Sequence, residues 1–121
     1  MYRFSSRSYN NLQGVNPRLV AVATLALARS DVDFLVIEGL RTTERQAELV
    51  AAGASQTMKS KHLTGDAIDV AAWVGGAVRW DWPLYARIAA AFKSAAADLG
   101  VALIWGGDWT TFKDGPHFEL G

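Results

Sequence analysis

The stretch AIDVAAWVGGAVRW, residues 67–80, decides the fold. One carboxylate, Asp69, interrupts the apolar run Ala67 to Trp73, and Gly75-Gly76 supplies residues suited to a tight hairpin turn. Ala67 to Trp73 and Ala77 to Trp80 are therefore expected to pair as antiparallel strands. Working outward, DFLVIE (33–38) and VALIW (101–105) have the length and apolar content of strands, and Pro116 to Leu120 is expected to be the last one. Helices fill the intervals. Asn16 as N-cap and Pro17 at the first helical position open a helix that runs to Arg29. Thr43 with Gln46 three residues on reads as a capping box, with Gly53 as the stop. Asp81 caps a third helix, from Pro83 to Leu99, which Gly100 ends. Residues 54–65 read as a polar loop and residues 1–15 as an irregular lead-in. Strands and helices do not alternate strictly, so the expectation is an α+β fold. It comprises one small domain over 1–121, a mostly antiparallel sheet and about three helices.

Composition narrows the function. Half of the 121 residues are hydrophobic, enough for a core without staples. Twelve basic and twelve acidic residues cancel. No basic surplus marks a nucleic-acid partner. Cysteine is absent, which excludes disulfides and thiolate ligands. A transition-metal site must then use His, Asp and Glu, and only His62 and His117 are available as imidazoles. The apolar run from Leu19 to Ala28 is shorter than the roughly 20 residues that a bilayer span needs. It reads as a buried helix, so neither a cleaved signal nor a stable membrane association is expected. No repeat or linker divides the chain.

SKHLTGDAIDVAAW (60–73) and DGPHFE (114–119) carry the chemistry. Burying the Asp69 carboxylate among Ala, Ile and Val costs several kcal/mol unless something neutralises it, and a cation does so directly. Gly65 offers the turn that returns His62 over the strand, and Pro116 holds the approach to His117 extended. Two imidazoles and one carboxylate leave a fourth tetrahedral position open, as in a catalytic zinc site. Asp66 competes as a ligand, but on a regular strand it points away from Asp69. The plainer alternative is two surface or hydrogen-bonded histidines. A serine hydrolase built on Ser60, His62 and an Asp lacks a nucleophile elbow.

The pattern Ser60-x-His62, Gly65, Ala67, Asp69 and then Asp114-x-x-His117 resembles the peptidoglycan metallopeptidases of the D-Ala-D-Ala carboxypeptidase/VanY type. EGLRTTERQAELVAAGASQTMKSKH (38–62), IWGGDW (104–109) and DGPHFE (114–119) look most like their phage endolysin subgroup, the L-alanyl-D-glutamate peptidases. The resemblance implies one zinc ion per chain, held by His62, Asp69 and His117, with Asp114 as general base. It also implies that Arg41 grips a substrate carboxylate or stabilises an oxyanion, and a salt bridge to Glu38 or Glu44 is the plainer alternative. Ser60 and Gln46 are expected to support the pocket, and Glu119 to orient His117. Trp105 and Trp109 are expected to wall an open groove around Gly106-Gly107, with core packing the plainer alternative for each, and Trp73, Trp80 and Trp82 to pack.

The implied function is cleavage of the L-alanyl-D-glutamate bond in the bacterial stem peptide. The expected enzyme is a monomeric endolysin without a separate wall-binding domain. It would be made in the host cytoplasm and released with the help of a holin. A D,D-carboxypeptidase using the same zinc, or a non-catalytic wall-binding phage module, are the alternatives. Three intact ligands and an acid argue against the last.

Overall fold

In the strands, alternate side chains divide between a greasy face and a face that carries ionisable groups. The computed structural model describes residues 1–55 and 57–121. In chain order the helices are α1 (Ser6–Asn11), α2 (Pro17–Arg29), α3 (Thr43–Ala51) and α4 (Trp82–Leu99). The strands are β1 (Phe34–Glu38), β2 (Ala67–Val74), β3 (Ala77–Arg79), β4 (Leu103–Trp105) and β5 (His117–Leu120). Short 3-10 turns occupy Lys61–Thr64 and Gly106–Asp108. The sheet runs β1-β2-β5-β4, with β3 paired to β2 beyond the end of β5, and every pairing is antiparallel. The fold is α+β, as expected.

Phe34 and Val36 on β1, Ile68, Val70 and Ala72 on β2, and Phe118 on β5 are buried on one face. The helix α4 covers that face. Its Phe92 stacks on Phe118 with centroids 3.8 Å apart and touches Phe34 at 5.5 Å. The apolar stripe of α2 (Leu19, Val22, Ala23, Ala26, Leu27) joins the same core. Asp69, His117 and Glu119 fall on the other face by alternation.

Asn16 caps α2 by accepting from the Arg18 amide, and the Gly75-Gly76 hairpin forms as the sequence indicates. Four expectations need correction. The lead-in is not irregular throughout. In it, α1 covers the edge of β1, where Ser8 Oγ accepts from Val36 N at 3.1 Å and Asn11 Nδ2 donates to Val36 O at 2.9 Å. An edge strand left bare would invite pairing with another chain. The cap of α3 is Thr42, which accepts from Arg45 N at 3.1 Å, so Gln46 is freed from capping and is buried. Asp81 stands at the N-cap of α4 but its carboxylate pairs with Arg79 at 2.7 Å and caps nothing. Finally, Trp73, Trp80 and Trp82 do not pack inside. They are 38%, 59% and 47% exposed. No helix among the described residues is long and apolar enough to cross a membrane.

One side chain splices the sheet. Pro116 O still takes the Val70 amide at 2.9 Å, but Ala72 N points at the Tyr85 hydroxyl, which accepts at 3.0 Å and donates to Arg79 O at 2.8 Å. Tyr85→Phe keeps the ring and leaves a buried amide unpaired. It is expected to lower stability by about 1–3 kcal/mol, read as a lower denaturant midpoint at unchanged slope. An unchanged midpoint would show that water replaces the hydroxyl.

Candidate active site and metal centre

His62 is placed by its turn. Ser60 Oγ accepts from the His62 amide at 3.2 Å, and His62 O accepts from Arg41 N at 2.9 Å. Gly65 ends the turn at φ +76°, and a Cβ there would stand 2.4 Å from Gly14 O, so only glycine fits. The His62 ring is almost fully buried. Its Nδ1 lies 2.9 Å from Gly39 O, which can only accept, so Nδ1 carries the proton and Nε2 a lone pair.

Asp69 and His117 are register partners across β2 and β5. Asp69 Oδ1 is 3.0 Å from His117 Nδ1, and Asp69 Oδ2 is 3.3 Å from His62 Nε2. Glu119 Oε1 takes His117 Nε2 at 2.8 Å, and Lys61 Nζ holds the other Glu119 oxygen at 3.0 Å. Glu119 thus fixes the tautomer that aims the Nδ1 lone pair inward, as an orienting carboxylate does for a metal-bound imidazole.

The donor set fits a metal ion. One ligand atom from each of His62, Asp69 and His117 lies within 4.8 Å of the others. Among the described residues, His62 Nε2 is the lone buried side-chain nitrogen or oxygen without a hydrogen-bond partner, despite its closeness to Asp69. A buried orphan lone pair is costly unless something absent from the protein chain takes it. Burial pushes the Asp69 carboxyl up, but the neighbouring His117 and His62 outweigh it and hold the group well below the usual carboxylate range. Burial likewise opposes a charged His117, yet Asp69 and Glu119 keep its pKa above the ordinary imidazole value. The site attracts positive charge. Asp66 takes no part, because its two oxygens accept from Asn16 Nδ2 at 3.1 Å and Thr64 Oγ1 at 2.8 Å.

These groups floor a cleft of about 1020 Å³, lined also by Ser60, Arg41, Trp109 and Asp114. Burial first, and the Asp69 charge second, push the Asp114 carboxyl above the ordinary aspartate range. The Trp109 ring sits 5.2 Å from that of His117. Trp105 does not wall the cleft. It is buried and donates from Nε1 to Gly115 O at 2.7 Å. Nor does the glycine pair open the groove. A Cβ on Gly106 would stand 2.3 Å from Asp114 O, and one on Gly107 2.3 Å from the Trp105 ring, so both serve close packing.

Arg41 is already engaged. Its Nε and Nη2 each donate to Glu38 at 2.7 Å, Nη1 donates to Gln46 Oε1 at 2.8 Å, and Nη2 lies 3.6 Å from Asp69. Gln46 is anchored in turn by Ser55 Oγ at 2.8 Å and by Thr57 O. The pair with Glu38 is therefore present in the structure, and the guanidinium still lines the cleft. Arg41 braces the site, with part of its fork left over. Lysine cannot reproduce three directed donors. Arg41→Lys is expected to fold and to lose roughly 10–100-fold in metal affinity or activity, the scale for partners behind a ligand. Zinc titration against a chromogenic chelator and a wall-lysis rate check it, and wild-type values in both would remove Arg41 from the support of the site. The anchoring by Ser55 and Thr57 had no signal in the sequence.

An antiparallel sheet whose polar face presents to a cleft a His/Asp/His cluster able to hold a metal ion is an arrangement suited to metal-assisted hydrolysis. The family profile of the phage L-alanyl-D-glutamate peptidases matches residues 1–120. The L-alanyl-D-glutamate peptidase of Escherichia phage T5 is 38% identical over 117 residues, covering 93% of this chain and 85% of that protein. The enzyme of the same name from Listeria phage A118 is 38% identical over 120 residues, covering 97% of this chain and only 42% of the longer phage protein. Among solved structures, the Serratia marcescens L-Ala D-Glu endopeptidase ChiX superposes with a TM-score of 0.94 at 54% identity, over 99% of this chain and 90% of that one. The chain belongs to the phage L-alanyl-D-glutamate peptidase family.

Proposed function

We propose that the protein is a zinc-dependent endopeptidase that cuts the bond between L-alanine and D-glutamate in the peptidoglycan stem peptide, and that it serves a phage in host lysis. The observation that carries the metal is the orphaned His62 Nε2, aimed at Asp69 beside the His117 lone pair. His62, Asp69 and His117 would hold the zinc, one per chain. Bound there, zinc supplies Lewis acidity toward the scissile carbonyl and an activated water.

The rest is done by the chain. Asp114 takes a proton from the attacking water and returns it to the leaving amine of D-glutamate. Its raised pKa brings it nearer to working pH, which suits a general base. Glu119 keeps the His117 ring in register, Arg41 and Gln46 brace Asp69, and Trp109 shields one wall of the cleft from water. Cell-wall access would come from a membrane-permeabilising partner such as a holin, and a monomer suffices for all of these roles.

Zinc requires a deprotonated His117, and the raised His117 pKa lets protons compete at higher pH than for a free imidazole. The bond itself is tested by digesting purified peptidoglycan and identifying the new ends by mass spectrometry. New D-glutamate amino termini, with lactyl-L-alanine left on the glycan, are expected. Release of free D-alanine from an otherwise intact stem would replace this reading by a D,D-carboxypeptidase.

A further inference from the structure

The two imidazoles of the cluster stand on elements that do not pair as strands. His62 lies on the turn Lys61–Thr64, whereas His117 lies on β5. Their ring centroids are 5.1 Å apart, so the width of the cluster depends on what joins the turn to the strand. Lys61, the residue before His62, makes that joint. Its carbonyl accepts from Asp66 N at 2.9 Å, and Asp66 O accepts from Leu120 N at 2.9 Å. The Lys61 ammonium reaches back and donates to Leu120 O. These three bonds form a closed circuit from the turn, through the entry to β2, to the end of β5 and back. The ammonium is its one side-chain member.

The same ammonium donates to Glu119 Oε2 at 3.0 Å, while Glu119 Oε1 takes His117 Nε2 at 2.8 Å. One cation therefore fixes both the strand beyond His117 and the carboxylate that orients its ring. A surface lysine ordinarily keeps its rotamer freedom, and an exposed ion pair adds little to stability. Lys61 is 41% exposed and lines the cleft, so the pair by itself contributes little to the fold. Its backbone and side chain together instead tie one ligand-bearing segment to another.

We propose that Lys61 is a positioning residue: its ammonium clamps the His62 turn to β5 and fixes Glu119, so that both imidazoles are held at the spacing a metal ion needs. This rests on the metal reading of the site. Ligands fixed in advance lose less freedom when the ion binds. A partner standing behind a ligand typically carries roughly 10–100-fold in metal affinity.

The test begins with metal-free protein, wild type against Lys61→Met, which keeps the length of the stem without its charge. Amide hydrogen exchange at Asp66 and Leu120 is expected to quicken roughly tenfold, the fold-change of one lost hydrogen bond, with Ala72 unchanged. No change at Asp66 and Leu120, or the same rise at all three amides, would overturn the clamp. Cobalt(II) loading then makes the ring N–H protons of ligand histidines visible as shifted, exchangeable NMR signals. Wild type should show two, from His62 Nδ1 on Gly39 O and from His117 Nε2 on Glu119. Lys61→Met should lose the His117 signal to solvent exchange, keep that of His62, and bind zinc roughly 10–100-fold more weakly. Loss of both signals would make Lys61 a fold residue, and retention of both would make Glu119 independent of it. Either result sinks the proposal. Lys61→Arg, the second variant should Lys61→Met not fold, keeps a cation for Glu119 and should keep both signals. Losing either there would equally overturn it. If wild type takes up no cobalt, the metal reading fails, and the exchange comparison still decides the clamp.

Discussion

Replacing His62, Asp69 or His117 by alanine, one at a time, is expected to strip the protein of zinc and take wall lysis below detection. Each contributes one atom to a cluster no wider than 4.8 Å, and two remaining ligands do not make a zinc site. Elemental analysis should find about one zinc per wild-type chain and almost none in the variants. A chelator should abolish lysis by the wild type and added zinc restore it. Asp66→Asn is the control, since its oxygens serve Asn16 and Thr64. If Asp66→Asn lost zinc while Asp69→Asn kept it, the ligand set proposed here would be wrong.

The second large effect separates catalysis from binding. Asp114→Asn keeps size and shape, and the backbone bonds of residue 114, to Gly106 O at 3.0 Å and from His117 N at 3.1 Å, do not involve the side chain. The variant is expected to fold and hold zinc, and to lose activity by roughly 10²–10⁴-fold, the scale of a positioned general base. Zinc content measured beside the lysis rate distinguishes this from a metal defect. Full activity would remove Asp114 from the mechanism.

What was legible in the sequence was local. Asn16-Pro17, Gly75-Gly76 and Gly100 each impose a backbone geometry within a few residues, and α2, the hairpin and the end of α4 fall where they indicate. Asp69 stood out because a carboxylate in an apolar strand must answer to something outside that strand. The rest depended on contacts between distant segments. The six residues of α1 carry no apolar stripe, because their task is to meet the hydrogen bonds of Val36. Gln46 fits a capping box by spacing alone, and only its partners Arg41 and Ser55 reveal its use. Trp105 and Trp80 are the same residue type with opposite fates. One is covered by the Asp114 loop and the other stands outside it, a difference that no pattern around either residue encodes.

The strand order has a consequence for timing. β5 comes last in sequence among the strands, yet it lies inside the sheet, between β2 and β4. It brings His117 opposite Asp69 across a separation of 48 residues. Chains emerge from the ribosome N-terminus first. Until residues 117–120 have emerged, β2 lacks its neighbour and the cluster lacks an imidazole. A chain from which residues 117–120 have not yet emerged therefore lacks one of the three proposed ligands, and the cluster can close only after β5 has joined β2.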